Sequence, residues 1–209
     1  NLGEALKTDP AVVFWRGASG PYQAGVVPKL QELQSTANLL QRQYMAAQLE
    51  VFKEKRFFPD ANSTLRLTYG KVRGYSPKDA VIYDFRTYLD GVMEKYIPGD
   101  YEFDVPQKLI ELWKTKDYGR YATSDGRLPV CFLGSNHTTG GNSGSPALDA
   151  RGNLIGLNFD RVWEGTMSDL NYDPAICRNI MVDSRYILFI IDKYAGATRL
   201  IEEMKVVKK

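Results

Sequence analysis

The sequence has little of several residue types that define common protein classes. It contains one histidine and two cysteines, Cys131 and Cys177. Two cysteines cannot build a disulfide framework, and these two lack the spacing of a zinc site. They form either a single bridge or two small buried side chains, and we favour the second. With one histidine and scattered carboxylates, we expect no metal cofactor.

Charge and hydropathy exclude two further classes. Lysine and arginine number 27 against 25 aspartates and glutamates, which gives no general basic field for nucleic acid. No apolar run approaches the roughly 20 residues that a membrane-spanning helix needs. The first residues, NLGEALKTDPAVVFW, have neither an initiator methionine nor the pattern of a signal peptide. We expect a segment of a longer chain, with no nucleic-acid partner and no membrane span.

The pattern along the chain predicts a mixed fold. Apolar residues recur at helical spacing over 28–56, after a helix end and loop around 14–22. A β-rich part follows, closed by a helix, so we place a helical domain at 1–60 and a β domain at 61–209. The predicted elements of the second part are a strand or hairpin over 63–76, a helix over 106–116, a strand over 127–134, a hairpin over 145–159 turning at Arg151-Gly152, a strand over 178–182, and a helical segment over 184–204 broken near 195–197.

The stretch HTTGGNSGSPALDARGNLIGLNFDR, residues 137–161, concentrates glycine around a serine. A structural turn between strands is one interpretation, because glycine accepts positive φ. A phosphate cradle fits poorly, since neither phosphate-binding glycine pattern is present and no helix pattern follows. The third interpretation is a serine nucleophile, which needs a rigid turn and converging backbone N–H groups. Because a hairpin follows Ser143, the pattern favours a chymotrypsin-like barrel over the α/β-hydrolase elbow.

TGGNSGSPALDARGNLIGLNFDR resembles the active-site segment of bacterial serine dipeptidyl-peptidases, which combine a chymotrypsin-like double β-barrel with an inserted helical domain. The similarity extends from DANSTLRLTYGKVRGY to RNIMVDSRYILFIIDKYAGATRLIEEM. Within this family the sequence is most similar to dipeptidyl-peptidase 11, the branch that prefers acidic residues. The resemblance implies the C-terminal barrel half of the double barrel, preceded by the end of the helical domain and closed by a C-terminal helix.

The resemblance also implies roles for five residues. Ser143 is the nucleophile, and the backbone N–H groups of Gly141 and Ser143 form the oxyanion hole; Ser145 is expected to shape the turn. Arg161 binds the carboxylate of an Asp or Glu side chain at P1, the residue before the cleaved bond. Asp160 holds the free amino group of the substrate. Such a site releases N-terminal dipeptides from peptides with a free N-terminus.

Arg161 and Asp160 also have simpler interpretations that involve no substrate. An arginine after an apolar strand is commonly a surface residue, here paired with Glu164, and Asp160 could simply neutralise Arg161. Adjacent residues on a strand point to opposite faces. Asp160 and Arg161 can therefore serve neighbouring subsites only if the backbone bends between them or the cleft wraps the strand.

The catalytic triad is incomplete within the sequence. His137 lies six residues before Ser143 and would have to fold back over its own loop to act as the base. We expect it to be a packing residue, with the catalytic histidine and aspartate upstream, so that this chain alone is inactive. A non-catalytic module that binds acidic peptides and a plain endopeptidase remain as alternatives. By resemblance, we expect a periplasmic or cell-surface homodimer.

Overall fold

A computed structural model describes residues 2–55, 57 and 63–207. The chain divides into two compact units, Asn1–Phe57 and Phe58–Lys209. The domain boundary that we predict, between residues 60 and 61, lies outside the described residues, and the assignment of the two domains stays a prediction. No helix in the described part of the chain is both long enough and apolar enough to cross a membrane.

The regular elements described in the first unit are all helices. Its elements are α1 (Leu2–Thr8), α2 (Pro10–Pro21), a π-helical turn (Tyr22–Val26) and α3 (Val27–Val51). Asp9 caps α2, because its carboxylate accepts the N–H groups of Ala11 and Val12 at 2.9 and 3.1 Å.

The long predicted helix is confirmed and ends at Val51. The predicted loop around 14–22 is wrong, because those residues continue the helical path. Two interior glycines each cost only about 1 kcal/mol of helix propensity. The π-helical turn lies between Pro21 and Pro28, two residues that cannot donate a backbone hydrogen bond.

The second unit is built on antiparallel strands. β1 (Tyr75–Lys78) and β2 (Val81–Tyr83) form a two-stranded sheet. A five-stranded sheet has the order β3-β4-β7-β6-β5. Its strands are β3 (Arg86–Tyr88), β4 (Pro129–Gly134), β5 (Pro146–Leu148), β6 (Leu154–Arg161) and β7 (Asn179–Asp183). The predicted strands over 127–134 and 178–182 and the predicted hairpin over 145–159 are thereby confirmed.

The hairpin between β5 and β6 turns where the sequence indicates. The carboxylate of Asp149 accepts the N–H groups of Arg151 and Asn153 at 2.8 and 2.9 Å. Gly152 has a φ of 81°, a left-handed conformation that favours glycine.

The predicted strand over 63–76 forms only at its end. Val72 makes an isolated antiparallel bridge to Gly134, and β1 begins at Tyr75. Residues 65–71 have no regular structure, although apolar and polar side chains alternate there. The alternating Leu65, Leu67 and Tyr69 are exposed. Alternation forms a strand only where a partner strand and a buried face are available, and within the described chain these side chains have neither.

Helices cover part of the five-stranded sheet. They are α4 (Leu89–Glu94), α5 (Gln107–Thr115), α6 (Ser184–Phe189), a π-helical segment (Ile190–Tyr194) and α7 (Thr198–Glu202), with 3-10 helices at Gly119–Tyr121 and Trp163–Asp169. α6 contacts β4, β6 and β7. The hydrophobic core comprises Leu89, Val105, Leu109, Ile110, Tyr118, Tyr121, Leu128 and Phe189. The predicted helices are confirmed, as is the break near 195–197, where Gly196 has a φ of 67°.

Candidate active site

The glycine-rich loop that carries Ser143 joins β4 to β5 and consists of consecutive tight turns. The N–H of Asn142 donates to the carbonyl of Thr139 at 3.2 Å, and the N–H of Ser145 donates to the carbonyl of Asn142 at 3.0 Å. Gly141 and Gly144 have φ angles of 90° and 83°. Other residues rarely adopt this conformation, so the two glycines allow the loop to turn on both sides of Asn142 and Ser143.

Strand β6 anchors this loop. The N–H of Gly144 donates to the carbonyl of Asn158 at 2.7 Å, and the N–H of Asn158 donates to the carbonyl of Ser145 at 2.9 Å. The exposed Ser143 side chain is directed at the same strand, because its Oγ donates to the carbonyl of Phe159 at 3.2 Å. The serine predicted as the nucleophile is therefore held on a rigid turn.

Two backbone donors at this turn are open. Within the described part of the chain, the N–H groups of Gly141 and Ser143 donate to no other group. A shallow cleft of about 300 Å³ lies at this turn and is lined by Ser63, Thr64, Arg66, Gly141, Asn142 and Ser145. Unused backbone donors next to a serine hydroxyl are the feature that an oxyanion hole requires.

Strand β6 bends where the two predicted substrate-binding residues lie. Asn158 pairs with Met181 and Asp160 pairs with Ile180, so Phe159 is an extra residue opposite the regular β7 strand. Such a bulge bends a strand and changes the direction of its side chains. Asp160 and Arg161 follow the bulge in regular register with Ile180 and Asn179, so the bend lies before these two residues and not between them.

The Arg161 side chain is largely buried and makes a defined set of contacts. Its Nη2 donates to the carbonyl of Thr138 and to a carboxylate oxygen of Asp169, the latter at 3.0 Å. Its Nη1 donates to the carbonyl of Gly165 at 3.4 Å. Only 13 % of the Arg161 side chain is exposed, against 60 % of Asp169.

The plain surface alternative for Arg161 is therefore wrong. Glu164, its proposed partner, instead accepts the Tyr75 hydroxyl at 2.6 Å. Burial and this hydrogen bond to Glu164 raise the pKa of Tyr75. Gly165 lies against the arginine stem, since a Cβ added there would be 3.2 Å from the Arg161 Cγ.

Asp160, by contrast, is exposed on β6. One of its carboxylate oxygens accepts the N–H of Arg161 at 2.7 Å. Because Asp160 is exposed, its carboxylate is accessible to a cation in solvent. Asp160 does not neutralise the Arg161 guanidinium, which pairs with Asp169.

His137 is buried beside the Arg161 guanidinium. Its ring meets the Tyr172 ring edge-on at a centroid distance of 4.6 Å. Burial, reinforced by the positive charge of Arg161, lowers the pKa of His137, against the opposing charge of Asp169 and a hydrogen bond to the Ser168 backbone. The packing role expected from the sequence matches these contacts.

The remaining candidate groups are the two cysteines and the carboxylates. Cys131 and Cys177 are both free thiols, so the bridge left open by the sequence is not formed. Burial raises the pKa of Cys131 and so disfavours its thiolate form. Among the described residues, no group of three or more His, Cys, Asp and Glu side chains could hold a metal ion.

Sequence reasoning missed five residues that build the site. Asn158 and Asn179 support the nucleophile loop, while Thr138, Gly165 and Asp169 surround the arginine. Two of these contacts use backbone carbonyls, which no side-chain pattern can reveal. For Asp169 the sequence offers only a weak indication, which is that a carboxylate follows Arg161 by eight residues.

Comparison with known proteins decides the family. Residues 3–206, nearly the whole chain, match the sequence model of the family described as peptidase S46. The chain belongs to the peptidase S46 family. The family match covers both structural units.

Named S46 relatives and solved structures agree with this assignment. The Asp/Glu-specific dipeptidyl-peptidase of Flavobacterium psychrophilum is 64% identical over 202 residues, which are 97% of this chain and 28% of the relative. Dipeptidyl-peptidase 7 of Phocaeicola vulgatus is 45% identical over 98% of this chain and 28% of the relative.

A crystal structure of Porphyromonas endodontalis DPP11 in complex with the dipeptide Arg-Asp superposes with a TM-score of 0.79 at 45% identity, covering 98% of this chain and 30% of that one. The chain therefore spans less than a third of the length of these S46 relatives.

Proposed function

We propose that this chain supplies the nucleophile and the acidic-residue pocket of a serine exopeptidase that releases N-terminal dipeptides with Asp or Glu at P1. One observation carries the proposal. β6 places a largely buried guanidinium, that of Arg161, two residues from the carbonyl that holds the Ser143 hydroxyl. The relatives named Asp/Glu-specific dipeptidyl-peptidases support it, as do DPP11 structures holding Arg-Glu and Arg-Asp.

The finer architecture is part of this proposal. We assign the five-stranded sheet to the C-terminal barrel half of a chymotrypsin-like double β-barrel, and helices α1–α3 to the end of an inserted helical domain. The antiparallel order of the sheet and the position of the Ser143 loop between two of its strands support this assignment. The catalytic histidine and aspartate then come from residues outside this chain.

The mechanism follows from the loop geometry. The Ser143 Oγ gives its proton to the external histidine and attacks the carbonyl carbon of the P1 residue, while the N–H groups of Gly141 and Ser143 bind the oxyanion. The C–N bond breaks, the leaving amine takes the proton, and the dipeptide remains esterified to Ser143. Water activated by the same base then attacks the ester, which releases the dipeptide and restores the serine hydroxyl.

Two charged residues select the substrate in this proposal. The Arg161 guanidinium binds the P1 carboxylate, and an apolar P1 side chain can form no charge-assisted hydrogen bond with it. The exposed Asp160 carboxylate binds the free ammonium group of the N-terminal residue. Asp160 and Arg161 are adjacent residues in regular register with β7, so in this proposal the substrate cleft wraps the strand and one peptide reaches both side chains.

The proposal is tested in the full-length protein with fluorogenic dipeptidyl substrates carrying P1 Asp, Glu or Leu. We expect Arg161→Ala to abolish the preference for Asp and Glu, because it removes the cation. Arg151→Ala is the matched control, since Arg151 lies exposed at the hairpin turn of the same strand pair. An acidic preference that survives Arg161→Ala contradicts the proposal.

Two further experiments distinguish the exopeptidase from an endopeptidase and from a non-catalytic binding module. Acetylating the substrate N-terminus abolishes cleavage by an exopeptidase that needs the free amine and spares an endopeptidase. The 209-residue chain alone is expected to be inactive. A full-length protein that binds acidic peptides without cleaving them would instead be the non-catalytic binding module, a function favoured by one observation: the Ser143 hydroxyl donates to a carbonyl and not to a base.

By family resemblance we also propose that the full-length protein is a homodimer in the periplasm or at the cell surface. Sedimentation of the purified protein tests the dimer, and fractionation of the source cells tests the location.

A further inference from the structure

The contacts of Arg161 leave no bidentate position open. A guanidinium binds a carboxylate with two parallel N–H bonds either end-on, through Nη1 and Nη2, or side-on, through Nε and Nη2. Both arrangements use Nη2. In the structure Nη2 donates to two oxygens, the Thr138 carbonyl and the Asp169 carboxylate. Since Nη2 has two hydrogens, both are already engaged.

An incoming carboxylate must therefore displace one of these two acceptors. The Thr138 carbonyl is part of the backbone, and Thr138 is buried. Asp169 is the last residue of a 3-10 helix, and 60 % of its side chain is exposed. Rotating the Asp169 carboxylate into water replaces the guanidinium with solvent, whereas moving the Thr138 carbonyl would require the buried backbone to shift. Asp169 is therefore the acceptor that an incoming carboxylate displaces.

We propose that Asp169 is an internal stand-in for the substrate carboxylate: it occupies Arg161 in the empty pocket, is displaced by Asp or Glu at P1, and thereby sets the selectivity of the pocket. This inference rests on the proposed role of Arg161. It makes Asp169 a specificity-determining residue that the sequence pattern of the nucleophile loop does not contain.

In this proposal Asp169 has opposite effects on substrates with an acidic P1 side chain and on substrates with an apolar one. An acidic P1 side chain competes with Asp169 for Nη2, so Asp169 weakens its binding. An apolar P1 side chain leaves the Arg161–Asp169 pair in place, so Asp169 neutralises a cation that would otherwise be buried against an apolar group. Removing the charge of Asp169 should improve acidic substrates and impair apolar ones. A residue that merely supports the fold would change both in the same direction.

The test uses the full-length protein and the variant Asp169→Asn, which keeps the shape of the side chain. Its matched control is Glu164→Gln, because Glu164 lies on the same 3-10 helix and hydrogen-bonds Tyr75 instead of Arg161. We measure kcat and KM for substrates with P1 Asp, Glu and Leu at one pH and ionic strength. In the inactive Ser143→Ala background, calorimetry gives the Kd of the dipeptide Arg-Asp without turnover.

For Asp169→Asn we expect KM and Kd for acidic ligands to fall about two- to fivefold, the range of an exposed ion pair, with kcat nearly unchanged. The KM for P1 Leu should rise, and Glu164→Gln should change neither. In an Arg161→Ala background the effect of Asp169→Asn should vanish, because the two residues then no longer interact. A rise in KM for acidic substrates, or equal shifts in KM for acidic and apolar substrates, contradicts the proposed role of Asp169.

The outcomes for the two proposals are distinguishable. If Arg161→Ala keeps the acidic preference, the proposed function fails whatever Asp169 does. If Arg161→Ala loses the preference and Asp169→Asn weakens acidic substrates, the function stands and Asp169 is a fixed support of the guanidinium and not its competitor.

Discussion

The side-chain amide of Asn179 on β7 donates a 2.6 Å hydrogen bond to the Oδ1 of Asn158 on β6. Asn158 in turn donates its Nδ2 to the carbonyl of Asn142 at 3.2 Å, and its backbone binds Gly144 and Ser145. Both asparagines are buried. One pair of buried amides thus connects the centre of the sheet to both sides of Ser143, so the sheet and the nucleophile turn are positioned together.

We expect Asn179→Ala to destabilise the protein, because it leaves the buried Oδ1 of Asn158 without its donor. An unsatisfied buried polar group costs about 1–3 kcal/mol, which corresponds to a Tm lower by roughly 3–10 °C for a unit of this size. Asn171→Ala is the control, since Asn171 is exposed and surface substitutions stay within about 0.5 kcal/mol. Equal melting temperatures for the two variants would show that the amide pair is dispensable.

Ser143 and Ser145 lie on the same turn and should differ sharply in function. Ser143→Ala removes the proposed nucleophile, so kcat of the full-length protein should fall by about 10⁶-fold, as expected when a triad serine is lost. Ser145 contributes its backbone N–H and carbonyl to the turn, and Ser145→Ala retains both. We expect Ser145→Ala to keep kcat/KM within about tenfold of the unaltered protein, a limit of about 1.4 kcal/mol in transition-state stabilisation. Loss of activity in both variants would leave the identity of the nucleophile open.

Two neighbouring glycines provide a matched test of the oxyanion hole. Gly141 has a φ of 90°, where an alanine is strained. Gly140 does not have a positive φ, and a Cβ added there meets nothing within 4 Å. Gly141→Ala should therefore rotate the donor N–H and lower kcat by about 10²-fold, with a smaller change in KM. Gly140→Ala should have little effect, and equal losses in steady-state kinetics would argue against an oxyanion role for Gly141.

The sequence predicts the elements whose pattern is local. The long helix, the β5–β6 hairpin with its turn at Gly152, and the break at Gly196 depend on periodicity and glycine conformation within a few residues. The strand or hairpin predicted over 63–76 forms only at its end, because alternation cannot show whether a partner strand exists. The loop predicted around 14–22 failed because glycine and proline weaken a helix without always ending it.

In the candidate site, too, the residues of a local motif are predictable from the sequence and the contacts between distant segments are not. Ser143, Gly141, Asp160 and Arg161 lie in one short segment, and its motif is sufficient to predict a role for each of the four. The contacts of Arg161 come instead from Thr138 in the loop after β4 and from Gly165 and Asp169 on a 3-10 helix. Arg161 itself follows a bulge at Phe159. A bulge depends on the register between β6 and β7, which no single strand encodes.

Burial of the one histidine gives a prediction about stability. An unfolded histidine has a pKa of about 6.5. In the folded protein, burial and the positive charge of Arg161 lower the pKa of His137, while Asp169 and the Ser168 backbone oppose this, and Tyr172 packs against the ring. The folded state therefore binds fewer protons than the unfolded state below about pH 6.5, so the contribution of His137 is complete above that pH and is lost as the pH falls.

We expect His137→Gln to flatten the pH dependence of the melting temperature on the acidic side. Glutamine keeps a polar side chain and cannot titrate, so the full-length protein should lose its extra acid sensitivity below about pH 6.5, at most about 1.4 kcal/mol per pH unit for one proton. Differential scanning calorimetry of the unaltered protein and the variant at a series of pH values measures this difference, and any other histidines of the full-length protein cancel in the comparison. Parallel curves would mean that His137 is protonated as readily when folded as when unfolded, and that its burial beside Arg161 carries no electrostatic cost.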